Sequence, residues 1–239
     1  MEIKLDLHVH SHLSPDGRMS PEEIAAAAKK AGLQAVAICD HERVWQGARE
    51  CDGILLIPGG EFSTEHGHLL GLFLSSPIEK GSFAETAAAI RAQGGIPVLA
   101  HPFQKRRAAE SLAPLAPALT GAEVFNSRAD RKNPRANEEA AAFAESFGLL
   151  PFAGSDAHVA QEVGNAFIRL EVSALTEEEI KAALLQGKGR FTGKSSPHIH
   201  VARSQWTKLR KTGAKSAAYA KWLLFAAKCA LEDLKNRKD

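Results

Sequence analysis

For its first 195 residues the chain alternates between short apolar runs and longer amphipathic ones. Apolar, β-branched stretches at Ile3–His10, Ala35–Asp40, Ile54–Ile57, Leu69–Leu74, Pro97–Ala100, Ala122–Asn126, Leu150–Ala153 and Phe167–Val172 predict strands. Between several of them the spacing becomes helical. Ser20-Pro21-Glu22-Glu23 is a capping box with proline in the first turn, and Gly32 closes that helix. Phe83–Gln93 ends at Gly94-Gly95, Asn137–Phe147 ends at Gly148, and Thr176-Glu177-Glu178-Glu179 opens a helix that Gly187 closes. Strands this apolar, alternating with helices, predict an α/β fold whose parallel sheet is covered by helices. An open doubly wound sheet and a closed barrel both satisfy that pattern.

From Ser195 the texture becomes polar and basic. Lys215–Lys235 predicts one helix with an apolar stripe of Tyr219, Leu223, Ala226, Ala230 and Leu234, expected to lie on the outer wall of the α/β body. The chain therefore divides into a catalytic-sized domain at 1–195 and a basic helical C-terminal extension at 196–239. Charge follows the same division: residues 200–239 carry about +7, and the remainder about −5, of a net +2. That total is too small to require a nucleic-acid partner.

No run approaches the roughly 18 apolar residues of a membrane span. MEIKLDLHVH lacks the order of a signal peptide, so a cytoplasmic, membrane-free protein is expected, as a monomer or homodimer. Three cysteines at Cys39, Cys51 and Cys229 fit no zinc motif and read as reduced thiols.

Chemistry gathers where the predicted strands end. The first ends in His8-Val9-His10, an i, i+2 pair whose side chains face the same way, and Asp16 follows in a turn. Others end in Asp40-His41, Gly60-Glu61, His101-Pro102 and Asn126, and the strand at Leu150–Ala153 leads into Asp156-Ala157-His158. In parallel α/β folds the C-terminal strand ends build the active site. Mixed imidazole and carboxylate suit Mn²⁺, Fe²⁺ or Zn²⁺, and Mg²⁺ less well. Ligands in this number exceed one ion and predict two or three divalent ions that share a bridging carboxylate.

The segments DLHVHSHLSPDG, ICDHE, GGEFST, LAHPF, EVFNSR and GSDAH resemble, in order and spacing, the motifs of the PHP (polymerase and histidinol phosphatase) family. The resemblance covers about residues 3–195 and implies a distorted (β/α)7 TIM-like barrel with the appended C-terminal helix. It implies His8, His10, Asp16, His41, Glu61, His101, Asp156 and His158 as metal ligands, with Glu61 bridging. Asn126 is a further expected metal ligand, although it falls where relatives often carry His or Cys, and His68 falls where they often carry His.

Such a site predicts a metal-dependent phosphoesterase, a hydrolase of phosphate esters that attacks phosphorus with metal-activated hydroxide. His158, His101 or His68 would protonate the leaving alkoxide. Ser127 and Arg128, just beyond a ligand-bearing strand, are the expected phosphate contacts, because arginine offers a bidentate fork. The expected substrate is a small phosphomonoester, a nucleotide or a phosphorylated metabolite such as histidinol phosphate. An exonuclease acting on oligonucleotide ends is the first alternative, so nucleic acid is a secondary expectation. A degenerate metal-binding accessory module is the alternative outside enzymes. The absence of GxSxG and P-loop motifs removes the commonest covalent and nucleotide-triphosphate chemistries.

Overall fold

Strand β1 (Glu2–Val9) is an interior strand of a ten-stranded sheet in a computed structural model that describes residues 1–236. The last three residues of the expected 196–239 extension lie outside the described residues. On one side β1 pairs in parallel with β2 (Ala35–Ile38). Two-residue β3 (Glu50–Cys51) runs antiparallel to the start of β4 (Ile54–Thr64), which pairs in parallel with β2. Then β5 (Gly67–Leu72) runs antiparallel to both β4 and β6 (Ile96–Leu99). Parallel β7 (Gly121–Asn126) and β8 (Leu150–Gly154) follow. On the other side of β1 lie antiparallel β9 (Ala166–Glu171) and β10 (Arg190–Gly193).

The sheet curls into a nearly closed barrel, and the closing bonds fall at the ligand-bearing ends. His10 N donates to Ala157 O at 2.8 Å and Ala157 N to His8 O at 3.2 Å. The buried Asp6 carboxylate accepts from the backbone N–H groups of His8, Ser155 and Gly164, tying β1 to the chain after β8. Leu5, Leu7, Ala37, Ile57, Leu70, Val98, Phe152 and Ile168 fill the interior. Outside it, α1 (Pro21–Lys30) covers Val9, Val36 and Ile38. Helices α2 (Phe83–Ala92) and α3 (Ala136–Ser146) cover Leu69, Leu99 and Val124. Helix α4 (Glu177–Leu185) packs Ile180 and Leu184 against the cluster that includes Ile168 and Leu170. Both predicted capping boxes begin helices: at Ser20 it is complete, and at Thr176 the hydroxyl accepts from Glu179 N.

The sheet is mixed where the sequence predicts a parallel one. Strand β4 continues seven residues past Ile57 and returns through a hairpin at Glu65-His66, which leaves no room for a crossover helix. Glu61 therefore lies inside a strand.

The extension is a hairpin of two helices, α5 (His198–Lys211) and α6 (Ser216–Lys235), turned at Gly213 with φ +62°. Its apolar faces differ from the predicted stripe. Trp222 packs on Trp206 of α5 and donates to Ala202 O at 2.7 Å, and Cys229 is buried, whereas Leu223 and Leu234 are exposed. Helix α5 lies outside the predicted Lys215–Lys235 segment. Val201, Ser204, Gln205 and Lys208 line the mouth of the cavity that holds the histidines. No helix among the described residues is long and apolar enough to cross a membrane.

Candidate metal centre

A β-bulge aims the first two histidines. Asp6 pairs with Val36 but Val9 pairs with Ile38, so three steps along β1 match two along β2. Before the bulge Ile3, Leu5 and Leu7 point into the barrel; after it Val9 points outward under α1. His8 and His10 then project together into the end of the barrel, both fully buried. A second register shift, between Glu123 and Phe125 in β7, precedes Asn126.

The donor atoms converge in three groups: His8, His10 and Asp156; His10, His41 and His158; and Glu61, His68 and His101. Glu61 connects them. Its Oε1 lies 2.7 Å from His68 Nδ1 and 3.0 Å from His101 Nε2. Its Oε2 lies 2.9 Å from His41 Nδ1 and 3.6 Å from His10 Nε2. Asp16 Oδ1 stands 3.4 Å from Nε2 of both His41 and His158, and it is a buried oxygen without a hydrogen bond.

Hydrogen bonds behind the imidazoles fix which nitrogen faces inward. The Glu123 carboxylate accepts from His8 Nδ1 at 3.0 Å, which leaves Nε2 as the lone-pair nitrogen. Ser14 Oγ donates its proton to Asp40 at 2.6 Å and so must accept from His10 Nδ1 at 3.0 Å. The Asp156 carbonyl accepts from His158 Nδ1 at 2.8 Å. Three imidazoles thus present Nε2 to one region, and His8 Nε2 lies 3.1 Å from His10 Nε2. Neutral imidazole lone pairs, buried carboxylates and an unpartnered oxygen form a donor set that fits divalent cations.

The electrostatics agree. Burial opposes ionisation of Glu61, yet His68 and His41 hold its carboxyl well below the usual range. Burial likewise opposes Asp156 and Asp16, and His8 for the first and His158 for the second outweigh it. Burial also works against a charged His41, but Glu61 and Asp16 raise its pKa to about 10. Burial and then the neighbouring His158 push His10 the other way, well down. A buried region this rich in carboxylate favours positive charge at its centre. The backbone is constrained there too: His101 (φ +28°) and Asp156 (φ +55°) are non-glycine residues with positive φ.

Three expected residues sit differently. Asn126 Oδ1 accepts from Arg128 N at 2.9 Å, and its Nδ2 donates to Glu123 at 2.9 Å and to Asp156 at 3.4 Å, so its side chain braces ligands and their supports. Ser127 is fully buried, its hydroxyl unpartnered, and it does not line the cavity. Arg128 reaches the cavity wall, but its guanidinium is bonded to buried Glu162 at 2.8 and 2.6 Å. Of the supporting acids, Asp40 lies in the ICDHE segment and Glu123 in EVFNSR, whereas Glu162 carries no motif beyond its proximity in sequence to His158.

The cavity measures about 430 Å³, with the ligand cluster at its base and Arg131, Lys132, Gln205 and Lys208 at its rim. Burial, then Arg131 and Lys105, lower the pKa of Lys132. None of these three rim cations has a carboxylate within 4.0 Å among the described residues.

Comparison with known proteins gives the same family from two directions. The PHP domain model matches residues 6–100, and the model described as PHP-associated matches residues 134–188. The uncharacterized protein MJ0417 of Methanocaldococcus jannaschii is 33% identical over 175 residues, covering 70% of this chain and 70% of its own length. Among solved structures, a two-domain Bacteroides vulgatus protein containing a predicted PHP-like metal-dependent phosphoesterase superposes with TM-score 0.66 at 19% identity, covering 87% of this chain and 70% of that one. The lesion-specific endonuclease Q of Pyrococcus furiosus gives TM-score 0.59 at 20% identity, covering 80% of this chain and 58% of that one.

Proposed function

This chain belongs to the PHP family of metal-dependent phosphoesterases, hydrolases of phosphate esters, and from that membership we propose that it removes phosphate from a small phosphomonoester, a nucleotide or a phosphorylated metabolite such as histidinol phosphate. The carrying observation is the cavity. At about 430 Å³ it has the size of a nucleotide-sized ligand site, and α5 walls one side of its mouth.

His8, His10, Asp16, His41, Glu61, His101, Asp156 and His158, with His68 completing the group at Glu61 Oε1, would hold two or three divalent ions, Mn²⁺, Fe²⁺ or Zn²⁺. When bound, such ions lower the pKa of water and neutralise charge on the phosphoryl oxygens. The chain supplies the rest. Glu61 holds its two oxygens toward different imidazole groups, which fixes the spacing between positions. His68 is the most exposed imidazole of the set, and its second nitrogen has no hydrogen bond among the described residues. It is therefore the best placed of His68, His101 and His158 to give a proton to the leaving alkoxide. Lys208, Arg131 and Lys132 meet the anionic substrate at the rim, since the Arg128 fork is already occupied. Ser127 serves as backbone support: its N donates to Gly154 O and its O accepts from Ser196 N.

A second reading, cleavage at oligonucleotide ends, draws on the same rim cations and on the likeness to an endonuclease. The test is elemental analysis of purified protein combined with a phosphatase panel of 5′-nucleotides, 3′,5′-bisphosphates, histidinol phosphate and 5′-phosphorylated single strands. Turnover of small esters with at least two ions per chain supports the proposal. Turnover of oligonucleotides alone replaces it with the second reading, and fewer than about one ion per chain after reconstitution with each metal refutes it.

A further inference from the structure

Asp16 lies on the loop between β1 and α1, farther past its strand end than any other candidate ligand. Its inward oxygen receives no hydrogen bond, so the carboxylate's position depends on how its loop is held. The front of that loop is fixed by Asp40, which accepts from Ser11 N and Ser14 N. The part beyond Ser14 is fixed from the far end of the chain. Lys211, in the last turn of α5, places Nζ against three backbone carbonyls of the same loop: His12 O at 2.7 Å, Ser14 O at 2.8 Å and Gly17 O at 2.6 Å. An ammonium has three N–H donors, and all three are used. The loop wraps this group, with two of its carbonyls before Asp16 and one after, and such charge-assisted bonds are the strong kind.

The hairpin that delivers Lys211 is itself held at several points. Asp233 of α6 accepts from the N–H groups of His198 and Ile199 at the start of α5. Arg128 donates to Ser204 Oγ and His200 O, joining α5 to the wall of the metal centre. We propose that Lys211 is a positioning residue of the metal centre, through which the C-terminal hairpin sets the loop that presents Asp16. The proposal rests on the histidine and carboxylate cluster being a metal centre, and it is independent of which ester is cleaved.

The test uses the full chain. Metal-free wild type, Lys211→Ala and the control Arg210→Ala are titrated with Co²⁺ and followed by visible d–d absorption, with melting temperatures recorded in parallel. In Lys211→Ala the ion that uses Asp16 should bind roughly 10- to 100-fold more weakly, with a changed d–d spectrum for that equivalent alone. Added ethylammonium, which fits the vacated carbonyl cage, should restore the binding, and Arg210→Ala should titrate like wild type. If Lys211→Ala fails to fold, Lys211→Met keeps the stem without the charge and should show the same selective loss. Wild-type Co²⁺ binding in these variants would overturn the proposal. So would a loss spread over every ion, tracking the melting temperature and unresponsive to ethylammonium. The titration reads ions and not turnover, so wild type that hydrolyses no ester would refute the proposed function and leave this test intact.

Discussion

The two arms of the Arg128 guanidinium meet both oxygens of Glu162, Nε to Oε1 at 2.8 Å and Nη2 to Oε2 at 2.6 Å, and Oε2 also accepts from His158 N at 3.0 Å. Both side chains are buried. Removing one partner of such a pair leaves an uncompensated buried charge, which costs about 3–5 kcal/mol. Arg128→Ala should lower unfolding stability by that order in urea titrations and disturb the His158 backbone. Arg128→Lys should recover only part, because it lacks the fork. If stability is unchanged while the Michaelis constant rises, Arg128 is a substrate contact after all.

Glu61 faces imidazoles with both oxygens, so Glu61→Gln replaces one acceptor with an amide nitrogen that cannot ligate. The variant should lose at least about one ion per chain and turnover by roughly 100-fold or more. Elemental analysis and kinetics on one preparation check both. Glu65→Gln is the control, because Glu65 accepts from Phe83 N at the start of α2 and touches no ligand group.

Glu123 acts from behind the ligands. It accepts from His8 Nδ1, His101 N and Asn126 Nδ2. Glu123→Gln removes the anion that orients His8, and such changes cost about 10- to 100-fold in metal affinity. Isothermal titration with Zn²⁺ or Mn²⁺ should show that weakening with the fold intact by circular dichroism. Affinity equal to wild type would show that the His8 orientation is set elsewhere.

Gly154 has no room for a side chain. A Cβ there would lie 2.4 Å from His8 Cβ and 2.9 Å from His8 N. Overpacking of this kind costs typically about 1–3 kcal/mol, and here the atom that must move carries a candidate ligand. Gly154→Ala should therefore reduce metal content as well as melting temperature. Gly148→Ala also carries a penalty, because φ there is +63°, but its Cβ meets nothing and the site should keep its ions.

Chelation supplies the reverse test. Ions that bind only the folded chain add stability by mass action, about 2.7 kcal/mol at 100 times the dissociation constant. Removing them also leaves buried Glu61 and Asp16 facing imidazoles, and Asp156 facing imidazoles and Arg128, as the remaining counter-charges. Chelator-treated protein should melt several degrees lower and recover on adding back metal. An unchanged melting temperature would argue against any tightly held ion.

The strand ends announced most of the cluster because a histidine or acid at the end of an apolar run is costly to bury without a purpose, and five such ends coincide. What the pattern could not carry is instructive. Glu61 reads as a strand-end residue because Gly59-Gly60 interrupts the apolar run, whereas the two glycines continue in β4, where a Cβ at Gly59 would crowd Cys39 and Gly71. Glu123 reads as one polar position of a predicted strand and Glu162 as an ordinary surface acid, until the β7 register shift and the Arg128 pairing place them inside. Helix α5 escaped notice because its buried residues are His200, Ala202 and Ser204, which make no apolar stripe; its contacts with the barrel are polar. The Arg128 fork was legible as a recognition element, but nothing local reveals that an acid 34 residues away claims it.

The bonds that close the barrel join Asp6, His8 and His10 to Ser155 and Ala157, and Ser155 N reaches Asp6 across 149 residues of sequence. Contacts this distant in sequence are slow to form, because the entropy of closing the loop must be met before they return any energy. His8 and His10 therefore cannot meet Asp156 and His158 until nearly all of the barrel has been assembled. A half-made chain leaving the ribosome carries Glu61, His68 and His101 but lacks Asp156 and His158, so two of the three donor groups are incomplete. Completion of the cluster is accordingly a late event in the life of this molecule, and it reports that β1 and β8 have found each other.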